Sequence, residues 1–159
     1  MPVTAFVGVG SNLGDRQRTI REAQSCMESS SQIRFVKSAP IYETAPMGGK
    51  PQGTYLNTVW ELETGLTACD VLNRLLRIEC DFDRVRHEKN DPRTLDLDLL
   101  FFGDSVIHEP GLTVPHPRLH ERWFVLKPLW DLRPDWVHPI FKKSICELLD
   151  QVSENSPKR

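Results

Sequence analysis

The sequence predicts an α+β fold in which an antiparallel sheet carries its helices on one face. Three observations lead there. The 159-residue chain is long enough to bury one core without covalent staples. Apolar residues recur at period two in some segments and near period 3.6 in others. Read in order, those segments run strand-helix-strand-strand-helix-strand, a split β-α-β arrangement of the ferredoxin-like kind. Such a fold sets two helices against one sheet face and leaves the other free for ligands.

Thr4 to Val9 is the first expected strand, ended by the glycine-rich GVGSNLGD. A helix follows from about Asp15, with Ile20, Ala23 and Met27 at helical spacing on one face. Gln32 to Ser38 alternates apolar and polar residues as a half-buried strand does. Ala39 to Asn57 holds three prolines besides three glycines and reads mostly as loop, long enough in a small domain to imply function. Thr58 to Leu66 resumes strand character through Val59, Trp60 and Leu62. Thr67 is the expected N-cap of the clearest helix, with Asp70 three residues on. Val71, Leu75, Ile78, Phe82 and Val85 then define its buried stripe. The basic segment DRVRHEKNDPR leads into the strand DLDLLFF, which Gly103-Asp104 ends. A short strand SVIHE, a loop LTVPHPRLHERWF and a helix around Lys143 to Val152 complete the pattern. Residues 1–159 are expected to form one domain whose tail, from about residue 153, frays.

Composition excludes several classes of function. A formal net charge of −2 gives no basic footprint, so no nucleic-acid partner is expected. Cys26, Cys69, Cys80 and Cys146 are scattered without a C-x-x-C pair, which argues against a zinc site or a disulfide framework. The opening MPVTAFVGVG lacks a basic region and a long apolar core, and no apolar run approaches the ~20 residues that span a bilayer. A cytoplasmic protein with no membrane partner is expected.

Chemistry concentrates in RTLDLDLLFF. On a strand, residues i and i+2 share a face with Cα atoms roughly 6.5–7 Å apart. Thr94, Asp96, Asp98 and Leu100 therefore point one way, and Leu95, Leu97, Leu99 and Phe101 point into the core. Two carboxylates so placed can converge on one or two hard cations. An isolated D-x-D is as readily a solvent-facing strand edge. Here Arg74, Arg77, Arg84, Arg86, His87, Lys89 and Arg93 crowd the flanks. Magnesium flanked by arginines is what a polyphosphate needs.

Other motifs are less specific. GVGSNLG has the spacing G-x-G-x-x-x-G, which does not match the dinucleotide fingerprint, and its glycines are assigned to a tight turn and close backbone approach. His116, Arg118, His120 and Arg122 fall at even spacing and suggest an anion site. Tyr55 and Asn57 offer an aromatic face and an amide to a flat heteroaromatic ligand, although a Tyr packed on the sheet fits the spacing equally.

Taken together and in order, GSNLGDR, PIYETAPMG, YLN, DPRTLDLDLLFFG and LTVPHPRLHER resemble the 6-hydroxymethyl-7,8-dihydropterin pyrophosphokinase family of folate biosynthesis. The resemblance runs from about Val3 to Leu129. It implies a ferredoxin-like fold and transfer of a pyrophosphoryl group from ATP to the pterin hydroxymethyl oxygen, releasing AMP. It implies that Asp96 and Asp98 bind two Mg2+ ions. Thr44, Met47, Gly48, Tyr55, Asn57 and Phe124 would line the pterin pocket, with Tyr55 and Phe124 on the two ring faces. Glu79, Arg84, Arg86, Arg93, Leu99, Thr113, His116 and Arg122 match positions that contact ATP, with Arg84 and Arg93 as catalytic arginines beside the aspartates. ATP and the pterin are the expected partners of what is expected to be a monomer. The chain departs from the family at Asn90-Asp91, where Trp-Gly is common, and at Gly111, where some members have arginine. Residues 45–54 and 86–92 are the candidate lids. Two other readings stay open: a Mg-dependent phosphohydrolase using the same aspartates, and a non-catalytic RNA-binding or other binding module on the ferredoxin-like fold.

Overall fold

A computed structural model describes residues 2–12, 15–44, 55–83 and 95–155. In order these form β1 (Val3–Ser11), α1 (Arg16–Glu28), β2 (Ile33–Ser38), β3 (Tyr42–Thr44), β4 (Tyr55–Thr64), α2 (Ala68–Asp83) and β5 (Asp96–Phe102). A small hairpin of β6 (Ile107–Glu109) and β7 (Leu112–Val114) follows, then a 3₁₀ turn (Leu119–Glu121), α3 (Trp123–Leu132) and α4 (Ile145–Asn155). The main sheet has the order β2-β4-β1-β5 with antiparallel pairings, and β3 shares the outer edge of β4 with β2. β4 is thus inserted between β1 and β2, as the split β-α-β order requires.

Local signals set the helix starts. The Asp15 side chain accepts the Arg18 N–H at 3.1 Å. Thr67 and Asp70 form a reciprocal capping box, Oγ1 accepting the Asp70 N–H at 3.1 Å and the Asp70 carboxylate accepting the Thr67 N–H at 3.4 Å. Ile20, Ala23 and Met27 of α1 and Val71, Leu75 and Ile78 of α2 are all buried in one core beneath Val7, Val9, Trp60, Leu62, Leu97 and Leu99. Among the described residues no helix is long and apolar enough to cross a membrane.

Several expectations are corrected. β1 continues through Ser11, so Gly8 and Gly10 lie inside a strand and not in the turn that follows it. The expected long loop contains β3 and gives up its last three residues to β4, and β7 lies within the next loop. α4 runs from Ile145 to Asn155, three residues past the Val152 at which the helix was expected to end. The second sheet face is free only in part. A second core, built on Phe6, Val59, Leu100 and Phe101, is covered by Leu126 and Leu129 of α3 and Ile145 and Leu148 of α4. α3 was hidden in the sequence by Pro128, which reads as a helix breaker, and by an apolar composition in which Lys127 and Asp131 are the only charged residues. Phe101 belongs to this second core and not with Leu95, Leu97 and Leu99. The register slips between Phe6 and Val7, whose partners are Phe101 and Leu99, so Leu100 is an inserted residue and the alternation flips there.

Candidate active site

The uncovered end of the second sheet face is built from strand register. Residues directly opposite across antiparallel strands share a face. Tyr42, Asn57, Gly10 and Asp96 therefore form one row across four strands, and Val59, Gly8 and Asp98 form the next row across three. Glycine at both central positions leaves a trench between Asn57 on one side and the aspartates on the other. A Cβ at Gly10 would stand 3.2 Å from Asn57 Oδ1, and one at Gly8 would lie 3.4 Å from the Leu100 side chain. Both glycines line the cavity end of the sheet, so the close backbone approach expected of them occurs within β1 and not in a tight turn. Their i, i+2 spacing on a strand facing a D-x-D strand was the available signal.

Above the trench lies a cavity of about 230 Å³, lined among others by Thr44, Tyr55, Asn57, Asp96, Asp98 and Phe124. Asn57 and Thr44 are buried, and the Asn57 amide donates from Nδ2 to Thr44 Oγ1 at 2.7 Å. That bond fixes the amide's orientation and directs its carbonyl oxygen toward the Gly10 backbone. Arg122 and Phe124, at the start of α3, supply the opposite wall, with the Arg122 guanidinium 5.8 Å from the Phe124 ring centroid.

A second cavity, of about 390 Å³, lies on the outer side of β5. Glu79, Leu99, Thr113 and His116 line it together with Gly111 and, again, Asp96 and Asp98. The two aspartates thus face both cavities. Asp98 is exposed and Asp96 half-buried, while the intervening Leu97 is buried. Glu79 is buried, and its Oε2 accepts the Leu97 N–H at 2.7 Å, so α2 holds the β5 backbone between the two acids. His116 is placed by its N–H, which donates to Leu100 O at 2.9 Å. Its imidazole is held below the ordinary value, chiefly by burial and further by the charges of Arg122 and Arg118, against the opposing pull of Asp98. Gly111 has φ +78° in the turn between β6 and β7, which accounts for glycine at that position.

Thr44, Tyr55, Asn57, Phe124, Glu79, Leu99, Thr113, His116, Arg122, Asp96 and Asp98 are therefore brought together around β5 and the adjoining end of the sheet. Met47, Gly48, Arg84, Arg86 and Arg93 lie outside the described residues, as do His87, Lys89 and Asn90-Asp91. Two expected members of the basic surround are elsewhere. Arg74 donates to Cys26 O at 2.9 Å, at the C-terminal end of α1, and with Arg77 lines a separate cavity beside Ser30 and Gln32. The even-spaced quartet also divides, because His120 packs edge-on against Phe141 while His116 and Arg122 face the cavities.

The model of one protein family, 7,8-dihydro-6-hydroxymethylpterin-pyrophosphokinase (HPPK), matches residues 6–134. The chain is 35% identical over 153 residues to the 2-amino-4-hydroxy-6-hydroxymethyldihydropteridine pyrophosphokinase of Haemophilus influenzae, covering 96% of this chain and 95% of that protein. It is 38% identical over 148 residues to the folic acid synthesis protein fol1 of Schizosaccharomyces pombe, covering 93% of this chain. The chain spans about a fifth of the length of that protein and of its Pneumocystis carinii counterpart. Among solved structures, a Plasmodium falciparum HPPK-DHPS superposes with TM-score 0.76 at 14% identity, over 95% of this chain and 45% of that one, a likeness of fold.

Proposed function

Since the chain belongs to the 7,8-dihydro-6-hydroxymethylpterin-pyrophosphokinase family, we propose that it transfers a pyrophosphoryl group from ATP to the hydroxymethyl oxygen of 6-hydroxymethyl-7,8-dihydropterin, releasing AMP, within folate biosynthesis. The observation that carries this reading is the meeting of two cavities on one pair of carboxylates, Asp96 and Asp98. A transfer enzyme needs two substrate sites that touch where the bond is exchanged, and a hydrolase needs only one.

The smaller cavity suits the pterin. Tyr55 and Phe124 offer aromatic faces, and Asn57, fixed by Thr44, presents an amide that both donates and accepts to the ring's polar edge. The larger cavity takes ATP, with Leu99, Thr113 and His116 along its wall. Glu79 serves this side by holding β5 as well as by lining the cavity. Met47 and Gly48 complete the pterin site in this reading, and Arg84, Arg86, Arg93 and Arg122 neutralise the phosphates, Arg84 and Arg93 being the catalytic arginines.

Two carboxylates on one strand face fit hard cations. Among the described residues no third acidic, histidine or cysteine ligand joins them, so phosphate oxygens and water would complete the coordination. We assign two Mg2+ ions to Asp96 and Asp98; bound there, they would neutralise phosphate charge and lower the pKa of a coordinated hydroxyl. The residues of the chain align the hydroxymethyl oxygen with the β-phosphorus and keep water away from both. Positioning and charge supply the rate, with no covalent step on the protein. In the same reading residues 1–159 form one domain, acting as a cytoplasmic monomer.

Incubating the protein with ATP, Mg2+ and 6-hydroxymethyl-7,8-dihydropterin tests this. AMP that appears only when pterin is present is the expected result. Phosphate released from ATP without pterin would support the hydrolase instead, and no turnover at all would favour a binding module.

A further inference from the structure

We propose that Tyr42 is a positioning residue for the pterin site, its hydroxyl anchored on Asp131 of α3 so that the sheet wall and the α3 wall stay at a fixed separation. The inference rests on the pyrophosphokinase reading above.

β3 is three residues long and, among the described residues, pairs only with β4. Three ladder positions leave such a strand weakly held, yet it carries Thr44, which orients Asn57. Tyr42 shares a face with Thr44 and stands in the row that continues through Asn57 and Gly10 to Asp96. From there it reaches 89 residues along the chain, its hydroxyl donating to Asp131 Oδ2 in a partly buried setting. Its ring meets Trp123 edge-on, with centroids 6.4 Å apart at 81°. Trp123 immediately precedes Phe124, the aromatic wall of the smaller cavity. One side chain therefore touches α3 near both ends, while its own strand presents Thr44.

A phenylalanine would serve if packing were the whole requirement. The hydroxyl adds direction, because a hydrogen bond to a carboxylate weakens steeply off its preferred geometry. Asp131 is in turn steadied by Lys127, whose Nζ lies 3.5 Å from Oδ1 and 3.9 Å over the Trp130 ring. Burial, and then Asp131, push the Tyr42 phenol up to about 12, so it stays a donor throughout the working pH range. A flat ring gripped on two faces needs this constancy, since a gap of about 0.5–1 Å at one wall forfeits a quarter to a half of the contact energy.

Steady-state AMP formation, with KM determined separately for pterin and ATP, tests the link in Tyr42→Phe, Asp131→Ala, the double variant and Asp131→Glu. Each of the first two is expected to raise the pterin KM about 5- to 10-fold, the net worth of about one hydrogen bond, and to leave the ATP KM within about twofold. The double variant should be no more than about twofold worse than the worse single, because both remove the same bond. Asp131→Glu should recover most of the pterin KM. An unchanged pterin KM in both singles would overturn the inference, as would pterin and ATP KM values rising together with a fall in melting temperature. Lack of pterin-dependent AMP from the unaltered protein would sink the pyrophosphokinase reading, and this inference with it.

Discussion

Replacing Glu79 by alanine removes the acceptor that α2 provides to the strand carrying both aspartates. Glu79 is 8% exposed, and its Oε2 takes the Leu97 N–H at 2.7 Å, at the one position of β5 that separates Asp96 from Asp98. In the alanine variant this N–H is left in a buried setting without that acceptor. An orphaned buried donor costs about 1–3 kcal/mol, which for a chain of this size lowers the melting temperature by about 2–12 °C. The strand then relaxes where the carboxylates must converge, so turnover is expected to fall about tenfold alongside. Glu79→Gln keeps an oxygen at the same reach and should recover most of the loss. Circular dichroism melts read the first effect, and AMP formation at saturating ATP and pterin reads the second. If Glu79→Ala melts with the unaltered protein and shows only a raised ATP KM, Glu79 is a nucleotide contact and the strand-holding argument is wrong.

Asp98→Ala should abolish pyrophosphoryl transfer, by about 100-fold or more, while stability by urea titration stays within about 0.5 kcal/mol, because Asp98 is exposed. Gly10→Ala places a methyl 3.2 Å from Asn57 Oδ1 and should raise the pterin KM about 3- to 10-fold with the ATP KM unmoved, as steady-state kinetics would show. His138 sets a pH limit on stability. Its Nδ1 accepts the Ile140 and Phe141 N–H groups at 3.2 Å, and burial, followed by the nearby His120, lowers its pKa to about 4. A depressed imidazole favours the neutral form in the fold, so its contribution is complete above about pH 6.5 and is lost as pH falls from there toward 4. Melting temperatures across that window should fall less steeply in His138→Asn than in the unaltered protein; parallel curves would contradict this.

Local rules exposed much of this in the sequence. The D-x-D alternation, the Thr67–Asp70 capping box and the stripe Val71-Leu75-Ile78 each depend on neighbours within four residues, and the structure reproduces all three. What stayed hidden depends on register or on burial from two sides. Gly8 and Gly10 become a trench only once β1 is known to lie between Asn57 and the aspartates. Phe101 changes face because of a bulge that no pattern within β5 announces. α3 buries Val125, Leu126, Leu129 and Leu132 in the core it shares with α4, and its only charged residues, Lys127 and Asp131, are too few to announce a surface helix. Arg74 looked like part of the phosphate surround because it is close in sequence, but the helix turns it toward the end of α1.

Pyrophosphoryl transfer in this reading depends on divalent cations held between two cavities by Asp96 and Asp98. Crystals grown with Mn2+ and a non-hydrolysable ATP analogue, recorded near the manganese edge, test it most directly. Anomalous density within coordination distance of both carboxylates, with the analogue's phosphates on the Thr113–His116 side, is the predicted result. Nucleotide bound there with manganese touching neither aspartate would contradict the account.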